Sequence, residues 1–307
     1  MIKDLRMEEI LNQLGIDKRI IDLSFGVIRP FDEFSSWEYY GAIDGNDKSG
    51  FPYPPLFIPI IIDYNSTPIA DGIIKHWFTD RVMSFGFMDF GNSFQLGESS
   101  INQNQYIEAL FFEQFTNQHR SIINNEVLDK AKELGLSENQ LTVFKNLTDK
   151  KQHNTECYLP SFISDPPLNC IQTENSYKGA HPSNNEILIE RNLNNASFFE
   201  IFQKEWIGYE SPKDSFSWFK KKPNFKPAEY IPEWLKPETN KHQLFDKYVS
   251  NNEYDKAWLT INGPGFTPKE VGERLQQLKA YSSDATYHLW ADFWCKKYGD
   301  MDTFIFI

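Results

Sequence analysis

The chain has 307 residues, a formal net charge of -12 and 16% aromatic residues, among them 26 Phe and 8 Trp. It is long enough to bury a sizeable core and too aromatic for wholesale disorder. Its negative field disfavours nucleic-acid phosphates and anionic lipid over most of the surface, and favours a basic protein partner.

Met7, Ile10, Leu11 and Leu14 recur at helical spacing, which predicts a short opening helix that stops near Gly15. From Ile20 to Phe90 the pattern shortens to runs rich in Ile, Val, Phe, Tyr and Trp, separated by "DGNDKSG", "DYNSTP", "TDR" and "DFGNS". Those runs read as strands and turns. Pro54, Pro55 and Pro59 remove backbone donors and mark an edge or lead-in segment, whereas Ile60 to Ile62 and Ile69 to Ile74 are expected to pair across a turn containing Asn65 and Ser66. "VMSFGFMDF", residues 82–90, adds a further strand with largely apolar faces, so the sheet is expected to be covered on both sides.

After Glu98 the period lengthens. Ile107, Leu110, Phe111 and Phe115 fit one helix, and Val127, Leu128, Ala131 and Leu134 a second; Ser137 and Gln140 have capping-box spacing for a third. Residues 148–185 are polar and broken by Pro160, Pro166, Pro167 and Pro182, which reads as a connector between units. Beyond it Phe198, Ile201, Phe202 and Trp206 predict a helix, and two more helices should end the chain, with Thr267, Pro268 and Glu270 as a cap signal. Tyr287, Leu289, Trp290, Phe293, Trp294 and Tyr298 surround most of the last helix, a density that means a buried helix or a docking face.

Candidate chemistry is sparse. Cys157, Cys170 and Cys295 are an odd number without CxxC spacing, so no disulfide framework is expected and a reducing, cytoplasmic location is. His153, Cys157, Cys170 and His181 offer zinc-type ligands without the short paired spacing of zinc modules, and no metal or cofactor is assigned. Cys157 with His181 or His288 would make a nucleophile and base only if the fold brought them together; no GxSxG occurs, and no catalytic residue is assigned. Lys220, Lys221, Lys222 and Lys226 interleave with Trp218, Phe219, Phe225 and Tyr230, but Glu229, Glu233 and Glu238 interrupt the patch, so a solvated surface segment is expected and not a nucleic-acid site. The N-terminal residues lack the uninterrupted apolar core of a signal peptide, and no later run approaches a membrane span, so no membrane partner is expected.

The order of elements in the first 120 residues resembles the SUKH superfamily: an opening helix, the turn region "GAIDGNDKSG", then "LFIPIIIDYNSTPIADGI", the aromatic strand "VMSFGFMDF" and the helix "INQNQYIEALFFEQF". The resemblance implies a sheet with helices and a binding protein that serves as an immunity partner, neutralising a secreted bacterial toxin. Many such toxins are basic, which an acidic surface would suit.

The expectation is therefore an α+β protein with an antiparallel-rich sheet packed with helices and a mainly helical C-terminal unit. Its units are residues 1–147, a polar connector 148–185, and residues 186–307. The expected function is non-enzymatic protein binding, with Asp44, Asp47, Asp63, Asp71, Asp80 and Asp89 as rim contacts for a basic partner. The alternatives are a cysteine- or zinc-dependent hydrolase, or an adaptor docking through its Trp-rich C-terminal helices.

Overall fold

The computed structural model describes residues 5–29, 37–43, 52–63, 69–89, 95–117, 122–148, 155–170, 233–235, 239–263 and 265–301. The architecture is α+β: among these residues a five-stranded antiparallel sheet is surrounded by helices.

Helix α1 (Leu5–Gln13) buries Met7, Ile10 and Leu11, and the chain turns at Gly15, whose φ of +70° is open to a residue without a Cβ. Helix α2 (Lys18–Ser24) follows where a strand was expected from Ile20 onward. Asp17 explains the difference: its carboxylate caps the helix by accepting from Arg19 N at 2.9 Å, and the Arg19 guanidinium returns to the same carboxylate. With the helix started, Ile20, Ile21 and Leu23 bury together, and packing against the sheet overrides the extended preference of β-branched residues.

Strands β1 (Trp37–Tyr39), β2 (Phe57–Asp63), β3 (Ile69–Ile74), β4 (Ser84–Asp89) and β5 (Gln95–Ser100) lie side by side in chain order, each antiparallel to the next. The expected pairing of Ile60 to Ile62 with Ile69 to Ile74 is present; the turn with Asn65 and Ser66 lies outside the described residues. β1 pairs only with Ile61, Ile62 and Asp63, so among the described residues the start of β2 pairs on one side alone, in keeping with the expected lead-in or edge segment. Pro59 lies in this one-sided part of β2, next to a register shift between Pro59 and Ile61, where a missing N–H is tolerated. Gly72 and Gly86 face each other across β3 and β4, where a Cβ would run into the Ile58 and Gly97 carbonyls.

Helix α3 (Gln103–Asn117) packs on β4 and β5, with Tyr106 stacked on Phe85 at 4.9 Å between ring centroids. Helices α4 (Asn125–Glu133) and α5 (Glu138–Thr148) extend this layer. Phe144 of α5 meets Phe111, Phe112 and Phe115 of α3, and Ser137 and Gln140 form the expected reciprocal cap. The short helix α6 (Pro160–Ser164) is pinned to α3, where Gln105 Nε2 donates to the Ser161 and Asp165 carbonyls at 3.0 and 2.6 Å.

Among the described residues, four helices end the chain where two were expected: α7 (Lys241–Ser250), α8 (Tyr254–Asn262), α9 (Pro268–Lys279) and α10 (Ala285–Tyr298). Thr267 and Glu270 make the predicted capping box on α9. Trp258, Trp290 and Trp294 are fully buried, so the aromatic tract is core and not an exposed docking face. The indoles also settle a backbone problem. "PYPPL", residues 52–56, cannot run as a regular strand with three prolines; its Pro54 and Leu56 carbonyls accept from Phe57 N and Lys75 N, while Trp294 Nε1 donates to Tyr53 O at 2.9 Å and Trp290 Nε1 donates to Pro55 O at 2.7 Å. Leu56 N donates to Asn262 Oδ1 at 2.7 Å, and the Tyr40 and Tyr298 hydroxyls meet at 2.8 Å. The helix expected around Phe198 to Trp206 and the Lys220 to Lys226 segment lie outside the described residues.

Candidate functional site

Strand register places acids on one face of the sheet. Asp63 is opposite Ile69, and Ile69 opposite Asp89, so all three share a face; Asp71, two residues on, rejoins it opposite Phe87. Helix α3 crosses this face, and its residues Tyr106, Ala109, Glu113 and Thr116, spaced at helical intervals, look down on Asp63, Asp71 and Phe87 across a cleft of about 680 Å³. Glu156 and Asn169 close the cleft from the segment that follows α5.

Among the described residues, no Lys, Arg or His lines this cleft. Asp71 retains contact with water inside it, but protein surrounds the carboxylate, and poor solvation pushes its pKa well above the usual range, helped by repulsion from Glu113 and Asp63. Glu113 stands at the mouth, open to solvent, and is raised by partial loss of hydration and by the charges of Glu156 and Asp63. The Tyr106 hydroxyl is buried and has no hydrogen-bond partner, and its pKa is raised well above the usual phenol by burial and by Asp71 and Glu113. An acceptor-rich cleft of this kind favours the protonated forms of its acids, and a bound cation would favour their charged forms instead.

Of the six expected contact residues, Asp63 and Asp71 line the cleft. Asp89 shares their face and their end of the sheet without lining it. Asp80 is exposed beyond the opposite end of β3, in the stretch leading to β4, and the fold does not bring it to the others. Asp44 and Asp47 lie outside the described residues. Sequence reading missed Tyr106, Glu113 and Glu156. The first two had a signal, because Tyr106, Ala109, Glu113 and Thr116 repeat at i, i+3, i+7 and i+10, beside the apolar stripe of Ile107, Leu110 and Phe111.

The cysteine expectation is overturned: Cys157 is joined to Cys170 in a disulfide, with 5.3 Å between their Cα atoms. An odd cysteine count hid the pair, since Cys295 is the one left over, a half-buried thiol whose pKa burial raises. In this state neither Cys157 nor Cys170 presents a thiolate to a substrate or to zinc. His153 and His181 lie outside the described residues, and among the described residues no group of three or more His, Cys, Asp or Glu is placed to hold a metal ion.

A second polar group is buried beneath the other end of the sheet. Arg81 Nη2 pairs with Glu98 Oε2 at 2.9 Å, both side chains inaccessible to solvent, and Glu98 Oε1 accepts from Leu168 N at 3.0 Å. His76 is buried with both ring nitrogens lacking a hydrogen-bond partner; burial lowers its pKa well below the usual imidazole, and Arg81 and Lys75 lower it further. Through Glu98 this group ties β5 to the Leu168–Cys170 turn, and it is enclosed.

No family model, curated protein or solved structure matches this chain.

Proposed function

We propose that this protein acts by binding a positively charged protein partner and not by catalysis, in the manner of a SUKH-like immunity protein that neutralises a basic toxin by occluding it. The observation that carries the proposal is the cleft in which Asp63, Asp71 and Glu113 converge, with no basic side chain among the described residues that line it. Acidic complementarity speeds encounter with a basic partner and discourages wrong ones. The overall charge of -12 acts in the same direction and disfavours nucleic acid.

Membrane association forms no part of the proposal, since among the described residues no helix is long and apolar enough to cross a bilayer. The expected cytoplasmic residence runs against the Cys157–Cys170 disulfide, which persists most readily in an oxidising compartment.

Affinity capture on the immobilised protein at low salt tests the reading. It should retain a basic protein in stoichiometric amount, released as salt rises, and a variant with Asp63, Asp71 and Glu113 neutralised together should lose it. A bare monomer in every eluate, or capture indifferent to those three changes, overturns the proposal.

A further inference from the structure

Resting on the binding reading above, we infer that the cleft between α3 and the β2–β3–β4 face is a specificity pocket for a guanidinium group, presented by an arginine side chain of the partner.

Four observations combine. The cleft has the volume of a small-ligand site, about 680 Å³, which accommodates one long side chain with room for water. Its acceptors come from different elements: Asp63 from β2, Asp71 from β3, Glu113 from α3 and Glu156 from the segment after α5. They surround the ligand on several sides, which suits a planar group with five N–H donors better than a point charge. The Tyr106 side chain lines the cleft, is only 3% exposed and has a buried hydroxyl with no hydrogen-bond partner, an unsatisfied acceptor for a cation's N–H. Finally, Phe87 and Phe112 line the same cleft and give it an aromatic wall against which a guanidinium can pack. Among the described residues no metal-type cluster competes for this position.

Titration calorimetry on the intact, disulfide-bonded protein at low ionic strength provides the test. Agmatine probes the guanidinium alone, a neutral blocked peptide carrying one arginine probes the side chain in a chain context, and the same peptide with citrulline is the uncharged control. Agmatine and the arginine peptide should compete for one site, and the citrulline peptide should give no heat. Asp71→Asn should weaken both by about tenfold or more, while Tyr106→Phe, which keeps the ring on Phe85, should weaken both less severely. Glu133→Gln, an exposed change on α4, should have no effect.

Binding of agmatine without the peptide would overturn the arginine source and leave a free guanidinium ligand. Absence of heat from both, or equal binding by Asp71→Asn with an unchanged circular dichroism spectrum, would overturn the pocket. The outcomes separate from those of the binding reading: a captured protein partner that binds Asp71→Asn at full strength removes the pocket and leaves the partner. Agmatine binding with no captured partner does the reverse.

Discussion

Cys157 is bonded to Cys170, and the residue preceding each of these, Glu156 and Asn169, lines the acidic cleft. One covalent bond therefore holds together the wall that closes the cleft against α3 and the sheet. The loop it closes spans a sequence separation of 13 residues.

Reduction should consequently loosen the wall and destabilise the fold together. Closing a loop of this size contributes about 3 kcal/mol by restricting the unfolded chain. Urea titrations with and without dithiothreitol, and of Cys157→Ser with Cys170→Ser, are expected to show a loss of that order. Agmatine affinity should fall in parallel. Unchanged unfolding midpoints would mean that the bond does not constrain the unfolded chain in solution.

Asp71→Asn should stabilise the protein at neutral pH. Because the folded state raises the Asp71 pKa, its contribution is complete below the unfolded carboxylate value near 3.9 and is lost as pH rises through the folded value. The variant has no charge to bury, so its melting temperature should exceed the wild type's at pH 7.5 and match it near pH 3.5. A variant less stable at pH 7.5 would show that the Asp71 carboxylate is satisfied in the free protein.

His76 produces the opposite slope. Its folded pKa is depressed, so the stability of the neutral ring is present above the unfolded value near 6.5 and is lost as pH falls toward the folded one. Between pH 7 and pH 5 the wild type should lose stability faster than His76→Leu, measured by denaturant midpoints at each pH. Parallel curves would place the His76 ring in contact with solvent.

The buried Arg81–Glu98 pair should respond asymmetrically to its two obvious changes. Glu98→Ala strands the Arg81 guanidinium and removes the acceptor of Leu168 N, with an expected cost of about 3–5 kcal/mol. Arg81→Met together with Glu98→Leu should recover much of that loss, since no unpaired charge remains. Chemical denaturation of the single and double variants decides between this and a simple sum of two losses.

Much of the fold is legible where a local rule and the tertiary structure agree. The Met7, Ile10, Leu11 stripe, the Ser137 and Thr267 caps, and the Ile60–Ile62 hairpin partner all follow from spacing that needs no distant contact. Helix α2 does not, because Ile20 and Ile21 read as extended until the Asp17 cap is recognised. β5 does not either: "QLGESS" carries one strong apolar residue, Leu96, and its buried Glu98 depends on Arg81, 17 positions earlier. The cleft was half visible. Asp63 and Asp71 stand out as acids beside apolar strand residues, but Glu113 and Tyr106 join them only when α3 is laid across the sheet, a placement set by Phe85 and the aromatic cluster on Phe144.

The indole contacts to the proline segment have a consequence for biosynthesis. Trp290 lies 235 residues after Pro55 and Trp294 lies 241 after Tyr53. On a ribosome, the Tyr53 and Pro55 carbonyls leave the exit tunnel long before the indoles that will satisfy them are translated, and water must serve in the interval. Closure over this segment is thus a late event that requires the last helix, and a prematurely terminated chain would display the start of β2 as an unfinished surface for chaperones and proteases to find.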